Sequence, residues 1–180
     1  MKRNRTMQTQ QELDDWFKTE DPWGYESNPD DQNRKRLLLS ELPLRHYRRV
    51  LDIGCGQGFI TRDLPGEEVI GVDVSEEAIR QASRYASERI RFLQSSLFDL
   101  PEKITGHFDL IVVTGVLYPQ YIGQALSSVY RTLVDLLADD GLLLSVHIDE
   151  WYGARFPLLR IREHFYSYRE YTHRLELYIK

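Results

Sequence analysis

Two acidic residues and three glycines form the part of this sequence whose spacing most clearly suggests chemistry. Asp52 closes a short apolar run, Gly54, Gly56 and Gly58 follow it at alternate positions, and Asp73 closes the next apolar run. Glycines directly after a buried parallel strand let the backbone approach a ligand at the carboxyl end of that strand. The pattern therefore predicts a loop that binds a small organic cofactor, with helix-capping loop carboxylates as the alternative interpretation of the two acids.

The loop differs from the dinucleotide-binding pattern in two respects. That pattern needs a glycine where this chain has Phe59, and Asp52 would place a carboxylate near a pyrophosphate at a cost on the order of 1 kcal/mol or more. The same carboxylate suits the sulfonium and ammonium groups of S-adenosyl-L-methionine, and Asp73 can accept hydrogen bonds from both hydroxyls of a ribose. We therefore predict S-adenosyl-L-methionine as the cofactor and keep a nicotinamide-dependent oxidoreductase as an alternative.

Such a loop must be positioned by a parallel sheet, and the sequence contains the elements of one. Short β-branched apolar runs alternate with helical patterns, as in a sheet with crossover helices. The runs predict strands at Val50–Ile53, Val69–Val72, Ile90–Leu93, Phe108–Val113 and Leu142–His147. The helical patterns lie at about Gln11–Phe17, Asp30–Glu41, Gly58–Leu64, Ser75–Ala86, Ile122–Ala138 and Pro157–Glu163. Alternating polar and apolar residues predict a terminal antiparallel pair, Phe165–Tyr171 with His173–Ile179.

Length, composition and charge limit the class of protein. The chain has 180 residues, of which 42% are hydrophobic, enough for one core. We expect a flexible N-terminal arm or lid over residues 1–29 and a single domain over residues 30–180. The net charge of −5 argues against nucleic acid and membrane lipid as partners. Because Cys55 has no cysteine partner and the basic start Met1–Arg5 lacks a signal-peptide core, we expect a cytoplasmic location.

Two segments of the sequence resemble a known family. Val50–Gly58 resembles motif I of class I S-adenosylmethionine-dependent methyltransferases, and Gly71–Ser75 resembles the segment that follows it. The resemblance covers about residues 30–180 and implies an α/β, Rossmann-like fold: a mostly parallel seven-stranded sheet with helices on both faces and a C-terminal antiparallel hairpin. It implies these cofactor-binding residues: Asp52, Ile53, Gly54, Cys55, Gly56, Gly58, Asp73, Val74, Ser96, Leu97, Thr114, Gly115 and Val116.

One position departs from that family. An acidic residue that binds the adenine amino group usually stands where this chain has Ser96, so the hydrogen bond must come from Ser96, from the backbone or not at all, with Asp99 as a candidate substitute. Cys55, between the loop glycines, is interpreted as a small packing residue.

The N-terminal arm suggests a subfamily and a class of acceptor. Asp21–Tyr25, Ser27–Pro29 and Val116–Tyr118 resemble methyltransferases similar to the nodulation-factor N-methyltransferase. That resemblance implies methyl transfer to nitrogen or oxygen of a small-molecule acceptor, with a sugar or a secondary metabolite as the candidate. Trp23 and Tyr25 would either close over the acceptor as a lid or simply dock the arm. A non-catalytic, cofactor-binding partner subunit is the alternative.

The sequence offers few candidates for catalysis. His147, at the end of the fifth strand with Asp149 and Glu150 close by, is the predicted general base, and Tyr118 is the second predicted catalytic residue. Tyr121 would line the acceptor pocket with Tyr118, whereas His164 and His173 are interpreted as structural. Asp149 and Glu150 lack a convincing third ligand, so no metal is predicted. The segment Ile148–Arg162 would recognise the acceptor or form a dimer patch, and a homodimer is the candidate assembly.

Overall fold

A seven-stranded mixed sheet organises the computed structural model, which describes residues 7–180. The strand order is β3-β2-β1-β4-β5-β7-β6. The strands are β1 (Arg49–Ile53), β2 (Glu68–Asp73), β3 (Ile90–Gln94), β4 (Phe108–Thr114), β5 (Leu137–Ile148), β6 (Leu159–Tyr168) and β7 (Tyr171–Ile179). The first five run parallel, and β7 pairs antiparallel with both β5 and β6.

Six α-helices accompany the sheet in the described part of the chain. They are α1 (Gln10–Phe17), α2 (Pro29–Ser40), α3 (Glu76–Ala82), α4 (Leu100–Lys103), α5 (Pro119–Ile122) and α6 (Leu126–Leu136). Local capping explains where α2 and α3 begin. Asn28 Oδ1 accepts a hydrogen bond from the Asp30 N–H, and Ser75 Oγ accepts one from the Ala78 N–H, so each cap satisfies an amide that the helix leaves free.

The core lies on both faces of the sheet. Successive strand residues such as Val50 and Leu51 belong to different apolar clusters, because their side chains point to opposite faces of the sheet. One cluster includes α4 and α6, and the other includes Leu38 of α2 together with residues that follow the glycine loop. The predicted fold class is therefore confirmed. No helix within residues 7–180 is both long enough and apolar enough to cross a membrane.

The structure corrects one predicted helix. The sequence pattern predicts a helix over Pro157–Glu163, but Leu159–Tyr168 forms the edge strand β6. The reason is tertiary, because β6 pairs along its length with β7 and Arg160 reaches Glu176 across the two strands (3.1 Å). Backbone pairing and this ion pair override the weak local helical pattern.

Three other helices differ in extent. Gly58–Leu64 contains only a short 3₁₀ turn at Thr61–Asp63, which ends just before Pro65. The predicted helix Ser75–Ala86 ends at Ala82 and continues as a 3₁₀ turn at Ser83–Tyr85. The last long helix begins at Leu126 rather than Ile122, because Gly123 with φ 55° interrupts the chain after α5.

The arm packs against the domain in its described part, residues 7–29; its residues 1–6 lie outside the described residues. Phe17 is buried, Gln57 Nε2 donates to Asp21 Oδ1 (3.0 Å), and Ser75 Oγ donates to Asp14 Oδ1 (2.6 Å). These contacts hold the arm beside the glycine loop. A lid role for residues 1–29 and a division of the chain at residue 30 stay predictions.

Candidate functional site

A cavity of about 440 Å³ lies at the carboxyl ends of β1, β2 and β4, where open α/β sheets bind ligands. The arm and the β6–β7 hairpin complete its wall. Of the predicted cofactor residues, Gly58 alone is not part of the lining. The others line it: Asp52, Ile53, Gly54, Cys55, Gly56, Asp73, Val74, Ser96, Leu97, Thr114, Gly115 and Val116.

The glycines shape the loop between β1 and the cavity. Gly54 has φ +74°, a backbone conformation that residues with a side chain rarely adopt. A Cβ there would lie 2.2 Å from Val116 Cγ1. The loop after β1 therefore packs directly on the loop after β4. The N–H groups of Gly54 and Cys55 both donate to the Val72 carbonyl (2.8 and 3.0 Å), which fixes the turn to β2. The buried Cys55 thiol, whose pKa burial raises, acts as a packing group.

Asp52 places an incompletely bonded carboxylate in the cavity wall. Its side chain is 1% exposed, and its Oδ2 accepts a hydrogen bond from Thr61 Oγ1 (2.6 Å). Its Oδ1 has no hydrogen-bond partner among the described residues. Burial raises the pKa of Asp52 to about 6, against the opposing effects of Thr61 and Arg34. A cationic ligand group at Oδ1 would favour the ionised form.

Asp73 lies at the end of β2 and faces the same cavity. Its Oδ2 accepts from the Gly56 N–H (2.9 Å), and its Oδ1 accepts from the Ser75 N–H (3.0 Å). Burial raises its pKa, and these amides oppose the shift. Because each carboxylate oxygen has a second lone pair, both remain available to hydroxyl donors of a ribose.

The loop after β3 also contributes to the cavity wall. Ser96 lines the cavity, but its Oγ donates to Asp99 Oδ2 (2.7 Å) and accepts from the Asp99 N–H (3.2 Å). Asp99 itself is outside the lining, so the geometry does not support it as a substitute acidic residue at the adenine. The neighbouring Leu97 and Phe98 supply apolar surface in the wall.

The rest of the cavity lining is largely aromatic and basic. Its aromatic residues are Trp23, Tyr25, Tyr118, Tyr121, Trp151, Tyr168 and Tyr171, and its basic residues are Arg34, Arg169 and His173. The rings contact one another: Trp151 lies edge-to-face with Tyr118 and with Tyr171, at centroid distances of 5.5 and 4.9 Å. Trp23 packs on Trp16 and Tyr25 stacks on Phe59, so both are docked, and both also line the cavity.

The sequence analysis missed or misinterpreted four residues in this part of the lining. Arg34, Tyr168 and Arg169 were not singled out, and His173, interpreted as structural, lines the cavity. The His173 ring stacks on Tyr168 at 3.8 Å, and burial with the nearby Arg34 and Arg169 lowers its pKa to about 3, so it is neutral. Arg34 stands in the polar run Gln32–Arg36, before the leucines of α2, so no local pattern set it apart.

Comparison with known proteins decides the family. The profile of a methyltransferase domain matches residues 45–175. The chain belongs to this family. Among curated relatives, the tRNA1(Val) (adenine(37)-N6)-methyltransferase of Yersinia pestis (strain Pestoides F) is 36% identical over 101 residues. That match covers 51% of this chain and 39% of the relative, so the chain spans well under half of that protein.

Two solved structures share the fold over nearly the whole chain. The N-methyltransferase NodS from Bradyrhizobium japonicum WM9, in complex with S-adenosyl-L-homocysteine, has a TM-score of 0.81 at 22% identity and covers 94% of this chain and 97% of its own. The magnesium protoporphyrin IX methyltransferase ChlM from Synechocystis PCC 6803, with bound S-adenosylmethionine, has a TM-score of 0.69 at 18% identity, with 98% and 99% coverage. The family and fold class predicted from the sequence are confirmed.

The residues of this methyltransferase domain fit the cofactor of those structures. The unbonded Asp52 Oδ1 complements a cation, and Asp73 complements a ribose. Gly115 has φ +67°, and a Cβ at that position would meet no atom within 4 Å, so there is open space beside Thr114 and Val116. The site therefore offers hydrogen-bonding and steric complementarity to S-adenosylmethionine.

The geometry does not support His147 as the base of this methyltransferase. The ring is buried and outside the cavity lining, its Nε2 accepts from the Leu117 N–H (3.2 Å), and its Nδ1 contacts Ser145 Oγ (2.9 Å). Burial lowers its pKa well below the usual range. Both nitrogens are thus engaged, and His147 instead fixes the backbone just before Tyr118.

Tyr118 does reach the cavity. Its Oη accepts from the Ile148 N–H (2.8 Å), which leaves its own proton free to donate. Burial raises its pKa, so it is a hydrogen-bond donor rather than a base. Asp149 pairs with Arg174, and Glu150 accepts from the Thr172 N–H. Within residues 7–180 no group of three or more His, Cys, Asp or Glu side chains could hold a metal ion.

Proposed function

We propose that this chain transfers a methyl group from S-adenosyl-L-methionine to a nitrogen or oxygen atom of a small molecule. The observation that carries the proposal is one cavity whose lining combines two chemically different groups of residues. β1 and β2 contribute the carboxylates of Asp52 and Asp73, whereas the arm and the hairpin contribute aromatic rings. Such a cavity can hold a cofactor and an acceptor face to face.

The bound cofactor supplies an electrophilic methyl group, and the chain supplies alignment. Methyl transfer is an in-line displacement, for which positioning and exclusion of water matter most. Trp23, Tyr25 and Trp151 line the cavity, and their apolar surface would exclude water beside the acceptor. Tyr118 can orient an acceptor through its free hydroxyl proton. Because His147 is engaged and His173 is a weak base, we propose an acceptor whose attacking atom arrives unprotonated.

The acceptor class is a finer proposal. Edge and face surfaces of Trp151, Tyr118 and Tyr171 suit the apolar face of a sugar or of a planar secondary metabolite. The arm segments that resemble the nodulation-factor N-methyltransferase subfamily, which methylates an amino sugar, make an amino sugar the first acceptor to try. A cavity of about 440 Å³ limits the acceptor to a small group or to the end of a larger molecule.

A second candidate acceptor is a base of a nucleic acid. The observation that favours it is the similarity to the Yersinia tRNA methyltransferase over 101 residues. The net charge of −5 opposes it, because binding to phosphates relies on basic surface. The sequence-based exclusion of nucleic acid therefore becomes a question for experiment.

The test combines binding and turnover. Calorimetric titration should show saturable binding of S-adenosyl-L-homocysteine and none of NADH; the opposite preference would favour the oxidoreductase and end the proposal. Mass spectrometry should then detect acceptor-dependent formation of S-adenosyl-L-homocysteine with amino sugars, hydroxylated aromatic compounds or amines. Methylation of unmodified tRNA transcripts alone would replace the small-molecule proposal, and binding without any turnover would favour a partner subunit.

A further inference from the structure

Arg169 stands in a backbone conformation that favours glycine. It is the first of the two residues between Tyr168 of β6 and Tyr171 of β7, and its φ is 53°. Hairpin turns prefer glycine, asparagine or aspartate at such a position, and another residue there costs about 1 kcal/mol or more. The arginine side chain lines the cavity. Strain of this kind is concentrated at ligand-binding positions, so it draws attention to what this side chain can bind.

The guanidinium of Arg169 is held through one of its nitrogens. Its Nη2 donates to the Trp23 carbonyl (2.7 Å) and to Asp31 Oδ2 (2.8 Å), and the group lies 5.4 Å from the centroid of the Tyr168 ring. Its Nη1 and Nε have no hydrogen-bond partner within residues 7–180. The side chain is 35% exposed. A guanidinium whose position is fixed therefore keeps two nitrogens with which it can donate to a ligand.

The cavity lining beside Arg169 is positive, because the balancing carboxylates lie behind it. Arg34 and Arg169 line the cavity, whereas Asp31, which pairs with both of them, does not. Asp30, which accepts from the Arg169 N–H (2.9 Å), is also outside the lining. His173 adds no charge, since burial, with the nearby Arg34 and Arg169, lowers its pKa to about 3. A ligand group bound here therefore meets positive charge first.

A planar guanidinium with two free nitrogens is suited to the two oxygens of an oxyanion. We propose that the methyl acceptor carries a carboxylate or phosphate group, which Arg169 binds through Nη1 and Nε. This inference rests on the proposed function and narrows its acceptor to an anionic small molecule. The oxyanion is an anchor and not the methylated atom, and the rings of Trp23 and Tyr168 in the lining would pack on the body of the acceptor.

The experiment compares pairs of ligands that differ in the anionic group. Protein saturated with S-adenosyl-L-homocysteine would be titrated calorimetrically with glucosamine 6-phosphate against glucosamine, and with 4-hydroxybenzoate against 4-hydroxybenzamide. We expect the anionic member of at least one pair to bind about tenfold or more tighter than its partner. The phosphate pair and the carboxylate pair together show which oxyanion the site prefers.

Three variants assign that preference to Arg169. Arg169→Gln should reduce it to about twofold or less, and Arg169→Lys should keep part of it, since lysine retains the charge but not the planar pair of donors. The control Arg162→Gln removes one charge from the same hairpin, but Arg162 is outside the lining and pairs with Glu41 (2.9 Å), so the preference should remain. A loosened arm would weaken both members of a pair and leave their ratio unchanged.

The outcomes separate the two proposals. If wild type does not bind S-adenosyl-L-homocysteine, the proposed function fails. If it does, but neither anionic ligand is preferred or none binds at concentrations up to about 10 mM, the anionic acceptor is overturned while the methyltransferase proposal stands. A preference that survives in Arg169→Gln overturns the role of Arg169. The wild-type ratios keep this test decisive even if Arg169→Gln does not fold.

Discussion

Asp52 illustrates how a single residue can link binding to pH. Its pKa is raised to about 6, mainly by burial. If it binds the cofactor as a carboxylate, its ionised fraction falls from about nine-tenths at pH 7 to about one-tenth at pH 5. We expect the affinity for S-adenosyl-L-homocysteine to fall by about tenfold over that range, as measured by calorimetry.

Asp52→Asn is the control for that experiment. The variant should bind more weakly at pH 7 and lose most of the pH dependence, apart from any contribution of Asp73. An unchanged slope would assign the titration to another group. In the unliganded protein the sign is the reverse: with a folded-state pKa above the unfolded value, Asp52 contributes stability at low pH that is lost as pH rises from about 4 to about 6.

Gly54 tests the contact between two loops. Gly54→Ala would require a side chain at φ +74° and a Cβ 2.2 Å from Val116 Cγ1. We expect a loss of about 2 kcal/mol or more in the free energy of unfolding, from urea denaturation, and weaker cofactor binding.

Gly153→Ala is the matched control, because no atom lies within 4 Å of its Cβ position. Adding Val116→Ala to Gly54→Ala should recover the part of the loss that comes from the collision. Full stability in Gly54→Ala alone would contradict the close packing of the two loops.

At the scale of elements, sequence patterns predicted the strands and the helix cap that depend on neighbouring residues alone. The strands β1, β2, β3 and β4 agree with their predicted positions to within about two residues, because each is a short, mainly apolar run. The start of α3 follows from its Ser75 cap. The sequence pattern failed at β6 because its structure depends on pairing with β7, which no local pattern records.

The same distinction applies to the site. Asp52, Asp73 and the glycines were found because they follow consecutive parallel strands at one edge of the sheet. Arg34 and Arg169 were not found because helix α2 and the hairpin turn, distant in sequence, meet only in the folded chain. His147 was overinterpreted, since sequence alone does not reveal that the Leu117 amide occupies its Nε2.

The hairpin contains a buried ion network centred on Arg174. Its Nε donates to Glu176 Oε2 (3.0 Å), and its Nη2 donates to the carbonyls of Tyr152 (2.7 Å) and Ala154 (3.1 Å). Arg174→Ala would leave a buried carboxylate and two carbonyls short of a donor. We expect a loss of about 3 kcal/mol or more in the free energy of unfolding, from denaturant titration.

Arg162→Ala is the control within the same hairpin. Arg162 pairs with Glu41 at 2.9 Å, but its side chain is 47% exposed, so its loss should cost about 1 kcal/mol or less. Equal losses in the two variants would mean that the buried network does not stabilise the hairpin.

Arg169 connects the hairpin turn to the arm and to α2. Its Nη2 donates to the Trp23 carbonyl (2.7 Å) and to Asp31 Oδ2 (2.8 Å). In Arg169→Ala we expect amide hydrogen exchange to be about tenfold faster around Trp23, because charged hydrogen bonds of this kind contribute about 1.5 kcal/mol or more.

Amide hydrogen exchange in β1 should stay unchanged in Arg169→Ala. Arg91→Ala, which removes an exposed arginine paired with Glu68 at the other edge of the sheet, should leave the arm as in wild type. No change around Trp23 in Arg169→Ala would show that other contacts hold the arm.

At the scale of the whole molecule, arm and sheet share one ligand site, so binding should stabilise the fold. At a ligand concentration about 100 times Kd, S-adenosyl-L-homocysteine should raise the free energy of unfolding by about 2.7 kcal/mol. Differential scanning fluorimetry would show this as a rise in Tm, reduced in Asp73→Ala. NADH should give no rise; a comparable rise with NADH would contradict the proposed cofactor.

The assembly, the location and the acceptor of the molecule stay predictions. Leu159, Ile161 and Phe165 of β6 are exposed large apolar residues, and a homodimer and a cytoplasmic location stay predictions alongside the small-molecule acceptor. Sedimentation tests the homodimer, and an acceptor screen tests the small-molecule acceptor.

The order of strands also sets an order of assembly during synthesis. Within residues 7–180, β6 hydrogen-bonds to the sheet only through β7, although it precedes β7 in the chain. A ribosome therefore releases the five parallel strands, with the whole glycine loop, before β6 has a neighbour to join. The surface that faces the cofactor can be built while Tyr168, Arg169 and His173, which face the acceptor, are still unplaced. Vectorial translation thus places the hairpin's part of the cavity wall last.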